Sequence, residues 1–251
     1  MSDEIFSLEE NINRVQSAIK AACERSGRDP KNVTLIAVSK LKPFSDISKA
    51  YASGLTDFGE NYVQELTDKI EQNSAQDTPM PIKWHMIGHL QKNKVKYLMG
   101  RTELIHSVDS VSLAGQIEKE AAKRDLTVRI LLEVNVAREE SKWGFDPDDL
   151  PQAAADIAEF PHIKVLGLMT SAPFTEDPET NRKHFRALNA LAQELRSKNL
   201  IAKSDPDHHL PVLSMGMTAD YEVAVEEGAT MVRVGTAIFG KRDYTDGGKN
   251  T

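Results

Sequence analysis

Short apolar segments recur along the chain and alternate with longer stretches that have helical spacing. Several of the segments are β-branched or apolar at nearly every position, which is typical of parallel strands buried on both faces. The pattern predicts eight strands, at residues 33–38, 55–59, 82–87, 103–108, 128–134, 163–169, 211–215 and 230–234.

The stretches between the strands predict helices. Ahead of the first strand, apolar residues fall on one helical face at spacings of four and three, namely Leu8, Ile12, Val15, Ile19 and Ala22. Asp146-Pro147 and Asp177-Pro178 each offer an N-cap followed by a proline at the first helical position. After Asp177 a second apolar stripe follows, made of Phe185, Leu188, Leu191 and Leu195.

Strand and helix therefore alternate from about residue 33 to about residue 240, with an extra helix in front. In number and length these units match an α/β fold, a single (β/α)₈ TIM barrel with an additional N-terminal helix. We predict one domain at residues 1–244 and a flexible C-terminal tail at residues 245–251. A doubly wound open sheet is the alternative, since strand positions alone do not distinguish the two.

Composition narrows the function classes. The net charge is −7, so most of the surface repels a nucleic-acid backbone. No apolar run reaches the roughly 18 residues of a membrane helix, and the acidic opening does not resemble a signal peptide. We expect a cytoplasmic protein that contacts neither nucleic acid nor membrane, and, with no exposed apolar stripe, a monomer.

The sequence lacks several common catalytic and cofactor-binding motifs. The chain has no dinucleotide fingerprint, no Gly-Lys-Ser/Thr phosphate loop and no Gly-x-Ser-x-Gly elbow. The one cysteine, Cys23, is expected to pack inside the first helix. His85 and His89 are separated by Gly88 at a strand end and are not expected to bind a metal. The pair at 208–209 is expected in a solvated loop.

Lys40 is the most informative single residue, because functional groups of such barrels lie at the carboxyl ends of the strands. It follows an apolar strand directly. Partial burial would favour the neutral amine, which is a nucleophile toward carbonyl groups. A surface lysine with its ammonium group in water remains the alternative from this residue alone.

The last two predicted strands end in glycine and hydroxyl residues. Thr218 follows the seventh strand, while Gly235 and Thr236 follow the eighth, and loops at these places often hold a phosphate. An amine for a Schiff base together with a phosphate site is the combination that pyridoxal 5′-phosphate (PLP) requires. Arg233 would then face the pyridine nitrogen.

Seven strings in order closely resemble the family of pyridoxal phosphate homeostasis proteins, over about residues 8 to 244. They are AVSK at 37–40, FGENY at 58–62, WHMIGHLQ at 84–91, SKWG at 141–144, GLM at 167–169, LSMGMT at 213–218 and VRVGTAIFG at 232–240. The resemblance implies a single barrel similar to the N-terminal barrel of alanine racemase.

The resemblance also implies the role of each site residue. Lys40 carries PLP as a Schiff base, Asn61 lies beside the cofactor, and Arg233 approaches the pyridine nitrogen. The phosphate is held by Thr218, Gly235 and Thr236, and the set is completed by Ser214 and Met217. The chain departs from the family's usual pattern at Thr218, where serine is usual, and at Glu133, where glutamine is common.

The function implied by the resemblance is intracellular buffering and delivery of PLP without substrate turnover, with transient contact to the apo forms of PLP enzymes. A PLP-dependent amino-acid racemase is the alternative. Racemisation needs a second acid/base, which racemases take from another domain, and one barrel accounts for all 251 residues. An aldolase-type barrel enzyme that uses Lys40 without PLP is a third interpretation.

Overall fold

The computed structural model of this protein describes residues 6–240. The predicted tail at 245–251 and the ends of the predicted domain, residues 1–5 and 241–244, lie outside the described residues.

Eight parallel strands form a closed barrel in sequence order, which confirms the predicted fold class and excludes the open sheet. The barrel closes where the last strand pairs with the first, with Leu35 opposite Val232. The strands are β1 (Thr34–Val38), β2 (Asp57–Glu60), β3 (Lys83–Met86), β4 (Leu104–Val108), β5 (Val128–Glu133), β6 (Ile163–Met169), β7 (Val212–Ser214) and β8 (Met231–Val234).

Helices cover the outside of the barrel and follow the strands in alternation. They are α1 (Leu8–Arg25), α2 (Phe44–Ala52), α3 (Val63–Ser74), α4 (Val111–Ala122), α5 (Leu150–Ala158), α6 (Arg182–Ser197), α7 (Tyr221–Glu226) and α8 (Thr236–Phe239). The connection from β3 to β4 is a 3-10 helix, Lys92–Tyr97, rather than an α-helix. Helix α1 is the predicted extra helix; it packs mainly against α7 and α8 and starts in a Ser7–Glu10 capping box.

Two element boundaries differ from the predictions by two residues or more, each for an identifiable reason. Leu55 was assigned to the second strand but closes α2 instead: its N–H donates to the carbonyl of Ala50 at 3.1 Å, with Gly54 at φ 93°. This is a Schellman ending, in which an apolar residue two places beyond the cap packs back on the helix. Asp146 caps a turn rather than the helix: its carboxylate accepts from the N–H of Asp148 at 2.9 Å, and α5 begins only at Leu150.

The other predicted helix start holds in a modified form. Asp177 accepts from the N–H of Glu179 at 3.1 Å and caps a 3-10 turn, Pro178–Asn181, which continues directly into α6.

The barrel interior is filled in layers. One part of it is an apolar cluster made of Ile36, Leu104, Leu131, Leu166, Met169, Val212 and Met231. In β6 a Cβ at Gly167 would lie 1.9 Å from the carbonyl oxygen of Val212, so only glycine allows β6 and β7 this approach. The ends of these two strands, Met169 and Ser214, are thereby held side by side.

The histidines of the predicted loop at 208–209 differ from each other. The side chain of His208 is only 5% exposed, and its Nδ1 lies 3.0 Å from Asp205 Oδ1. The interpretation as a solvated loop is therefore wrong for His208, because its ring lies between the carboxylates of Asp205 and Glu103, 3.8 Å from the latter. His209 is exposed.

Cys23 is fully buried in α1, within the main apolar core. Burial raises the pKa of its thiol. Among residues 6–240, no helix combines the length and apolar character that crossing a membrane demands.

Candidate functional site at the carboxyl ends of the strands

A cavity of about 280 Å³ opens at the carboxyl ends of the strands. Seven of the eight predicted site residues line it: Lys40, Asn61, Met217, Thr218, Arg233, Gly235 and Thr236. Ser214 does not line the cavity but lies directly behind Arg233. The cavity is completed by residues that the sequence did not indicate, including Ser171, Phe174 and Asp220.

Lys40 reaches the cavity from a tight turn after β1. The N–H of Ser39 still donates to the carbonyl of Gly59 on β2 at 3.1 Å, and the N–H of Lys42 then donates to the carbonyl of Ser39 at 3.0 Å. Leu41, inside this turn, has φ 60°. The left-handed region is unfavourable for leucine, so the turn is held by contacts outside itself.

Arg233 is a buried cation, 4% exposed. Its Nη1 donates to Ser214 Oγ at 2.7 Å and its Nη2 to the carbonyl of Thr170 at 2.9 Å, and both acceptors are uncharged. Burial lowers the pKa of the guanidinium to about 10, against the opposing effects of Glu133 and Asp220. Arg233 thus remains a cation at neutral pH beside the cavity.

A hydrogen-bonded chain continues from Arg233 through the barrel interior to Asp57. Ser214 Oγ lies 2.9 Å from His106 Nδ1, and His106 Nε2 lies 3.0 Å from His85 Nδ1. His85 Nε2 lies 3.0 Å from Asp57 Oδ1 at the start of β2.

Only the first bond of this chain has a fixed direction, because arginine only donates and Ser214 Oγ accepts from it. The hydroxyl of Ser214 then faces His106 Nδ1, and His106 Nε2 faces His85 Nδ1. Burial, together with His85 and Arg233, lowers the pKa of His106 well below its ordinary value, so this ring is neutral at neutral pH.

The two histidines of the rejected metal pair have separate surroundings. His85 belongs to the interior chain, whereas His89 stacks on Trp143 at 4.0 Å between ring centroids and lies 3.1 Å from Asp109. Among the residues that the structure describes, no three His, Cys, Asp or Glu side chains are grouped as a metal site would require.

The loop after β7 presents Thr218 to the cavity. It turns at Gly216, with φ 89°, and the N–H of Met217 donates to Asp220 Oδ1 at 2.7 Å. Asp220 Oδ2 accepts from Asn181 Nδ2 at 2.8 Å, so both carboxylate oxygens of this cavity-lining acid accept hydrogen bonds from protein N–H groups. The carboxylate is thereby turned to the loop that it supports.

The loop after β8 lies close to β1. A Cβ at Gly235 would lie 3.2 Å from the carbonyl oxygen of Val38, tighter than side chains normally allow. Thr236 and Lys40, which follow these two neighbouring strands, line the same cavity. An amine, two hydroxyls with loop N–H groups and a buried guanidinium around one cavity suit a small phosphorylated aromatic aldehyde such as PLP.

Glu133, the second departure from the family pattern, is buried at the end of β5 and does not line the cavity. Burial and the neighbouring Asp109 raise the pKa of its carboxyl to about 7, while Arg233 lowers it. Its charge at neutral pH is accordingly reduced.

The chain matches a known family along nearly its whole length. The family model described as "Alanine racemase, N-terminal domain" matches residues 7–243. A pyridoxal phosphate homeostasis protein of Aquifex aeolicus is 46% identical over 235 residues, which are 94% of this chain and 98% of that protein. One of Pseudomonas aeruginosa is 39% identical over 238 residues, 95% of this chain and 97% of that protein.

Solved structures agree with this assignment. PipY of Synechococcus elongatus, in a structure with PLP bound, superposes with a TM-score of 0.77 at 32% identity and covers 93% of this chain and 100% of its own. An alanine racemase of Clostridium difficile, complexed with cycloserine, gives a TM-score of 0.71 at 12% identity and supports the fold alone. The matched region spans 95% of this chain and 60% of that racemase.

The barrel, the cavity and the relatives point the same way, and the chain belongs to the family with the alanine racemase N-terminal domain, among the pyridoxal phosphate homeostasis proteins.

Proposed function

We propose that this protein binds PLP in the cavity at the carboxyl ends of its strands and serves intracellular PLP homeostasis, buffering and delivering the cofactor without turning over a substrate. The observation that carries the proposal is the convergence of Lys40, Arg233, Thr218 and Thr236 on one cavity of about 280 Å³. PLP bound to PipY, at 32% identity, supports the choice of ligand.

Each residue has a distinct part in holding the cofactor. The Lys40 amine bonds covalently to the aldehyde carbon, and Asn61 lies against the ring. The hydroxyls of Thr218 and Thr236, with the loop amides around Gly235, bind the phosphate. Arg233 lies at the pyridine nitrogen, with Ser214 behind it and Met217 at the cavity edge.

Arg233 also supports the absence of turnover. PLP promotes amino-acid chemistry by accepting electrons into its ring, and a protonated pyridine nitrogen strengthens this effect. A guanidinium with a pKa of about 10 keeps its protons at neutral pH and opposes protonation of the ring. The ring is then a weak electron acceptor.

The test of binding is reductive trapping with borohydride. With PLP added, the wild type should show the visible absorbance of a lysine-bound cofactor, and peptide mapping after reduction should place the cofactor on Lys40. Lys40→Ala should lose the absorbance, while Lys42→Ala, two residues away, should keep it. Cofactor fixed on Lys42 or Lys142 instead would contradict the assignment.

The test of turnover is exchange of the α-proton of L-alanine in deuterated water. We expect no steady incorporation of deuterium above that caused by free PLP. Sustained exchange that disappears in Lys40→Ala would favour the racemase alternative.

Delivery is tested by mixing the loaded protein with the apo form of a PLP enzyme, whose activity should return. The proposal also includes a cytoplasmic location and a monomeric state. Sedimentation of the loaded protein would test the monomeric state.

A further inference from the structure

A buried group of charges lies behind Lys40, outside the cavity, where β1, β2 and α3 meet. We call it the Lys69 cluster; it comprises Lys69, Glu60, Glu65 and Ser39. The side chain of Lys69 is 5% exposed and that of Glu60 is fully buried. This burial distinguishes the cluster from a solvent-exposed ion pair, which contributes little to stability.

The ammonium group of Lys69 makes three hydrogen bonds, the full number that it can donate. Its acceptors are the carbonyl of Ser39 at 2.8 Å, Glu60 Oε1 at 2.6 Å and Glu65 Oε1 at 2.7 Å. The amine thus joins two carboxylates to the main chain at the residue before Lys40.

The two carboxyl groups bind the residues on either side of Lys40, Glu60 through the Ser39 side chain and Glu65 through the Leu41 main chain. Glu60 Oε1 accepts from the hydroxyl of Ser39 at 2.6 Å, and Glu65 Oε1 accepts from the N–H of Leu41 at 2.6 Å. The residues on both sides of Lys40 are therefore fixed by the same cluster. Leu41 is the residue with φ 60°, whose conformation needs such external support.

This arrangement is costly. Lys69 and Glu60 are withdrawn from water, burial raises the pKa of Glu60 to about 7, and Glu60 Oε2 is buried with no hydrogen-bond partner among residues 6–240. Apolar side chains of similar volume would fill the same space at lower cost, so stability alone does not account for the cluster. What an apolar filling would lack is the set of hydrogen bonds to Ser39 and Leu41.

We propose that Lys69, Glu60 and Glu65 are positioning residues that fix the main chain of residues 39–41, so that the Lys40 amine meets the aldehyde of PLP. The inference rests on the proposed function. Attachment replaces the C=O bond of the aldehyde by a C=N bond, and the oxygen leaves as water with two amine protons. The cluster touches none of these atoms and acts through the position of Lys40.

Glu65 offers the cleanest test, because its side chain is 20% exposed and its loss is tolerated better than that of Glu60. Glu65→Ala removes the acceptor of the Leu41 N–H, whereas Glu65→Gln keeps a side-chain oxygen at that place. Each variant would be titrated with PLP and with pyridoxine 5′-phosphate, which has the same ring and phosphate but an alcohol in place of the aldehyde.

We expect Glu65→Ala to bind PLP about tenfold more weakly or worse, with the affinity for pyridoxine 5′-phosphate little changed. Glu65→Gln should restore PLP binding. Glu194→Ala, which removes an exposed ion pair to Lys198 on α6, is the matched control and should change neither affinity. Equal weakening for both ligands would indicate a merely structural role and overturn the inference, as would an unchanged affinity for PLP.

A second measurement uses the protein without PLP. Amide hydrogen exchange at Leu41 should be faster in Glu65→Ala and close to wild type in Glu65→Gln, because only the alanine variant loses the acceptor at 2.6 Å. Unchanged protection at Leu41 would contradict the inference. Failure of the wild type to attach PLP at Lys40 would instead overturn the proposed function, so the two failures are distinguishable.

Discussion

The two cationic residues of the site, Lys40 and Arg233, are supported by opposite means. Behind Lys40, the Lys69 cluster pairs an ammonium group with two carboxylates. Behind Arg233, the hydrogen-bond chain starts with uncharged groups, a serine followed by His106, whose lowered pKa keeps it neutral. Charge is compensated where the main chain is held, whereas the guanidinium that lines the cavity has only uncharged hydrogen-bond acceptors.

The largest effect is expected on the ionic side. Lys69→Met leaves the fully buried Glu60 and the half-buried Glu65 without their cation and should lower the free energy of unfolding by about 3–5 kcal/mol. Urea denaturation monitored by circular dichroism measures this change. Lys198→Met, which removes an exposed partner of Glu194, should have no measurable effect. Equal effects of the two substitutions would remove the distinction between a buried cluster and an ordinary surface pair.

Glu133 tests whether the Arg233 side is truly without an ion pair. Its pKa is raised from 4.5 to about 7. The stability associated with its protonated form is therefore complete below about pH 4.5 and is lost as the pH rises through about 7. Glu133→Gln should be more stable than the wild type at pH 8, by up to about 3 kcal/mol, and the difference should nearly vanish at pH 5.

Urea denaturation at the two pH values gives the answer. If Glu133→Gln were less stable than the wild type at pH 8, Glu133 would be an ionised partner of Arg233. The contrast between the two cations would then fail.

The smallest effect is expected in the neutral chain. His106→Phe keeps a ring of similar size but leaves Ser214 and His85 each without one partner, which should cost about 1–3 kcal/mol at pH 8. Because the pKa of His106 is lowered, its share of stability is complete above about pH 6.5 and is lost as the pH falls below it. The difference between wild type and variant should therefore shrink in acid, and a difference that grew in acid would contradict a neutral His106.

The cavity was predictable because its residues follow strands that have clear apolar patterns. Lys40, Thr218 and Thr236 lie directly beyond predicted strands, and barrel closure alone brings such ends together. The support of the cavity was not predictable in this way. His106 meets a residue 21 positions away and another 108 positions away, and such pairs depend on strand register, which periodicity does not provide.

Lys69 was missed for a different reason. Glu65 and Lys69 are four apart on a helix, the spacing of an ordinary surface pair. Only the approach of Glu60 and Ser39 from neighbouring strands makes the pair buried. Asp220 was within reach of sequence reasoning, because an acidic side chain three residues after the start of a turn accepts from the N–H of the first residue, as in a capping box.

Gly167 does not line the cavity, yet it determines how the site is built. Thr170 and Ser214, the two acceptors of the Arg233 guanidinium, stand at the ends of β6 and β7. These strands can lie this close only because position 167 has no side chain. In a mutational scan scored by cofactor retention, every substitution at position 167 would register as a binding defect. The scan would thus identify a residue that matters for binding only because it has no side chain.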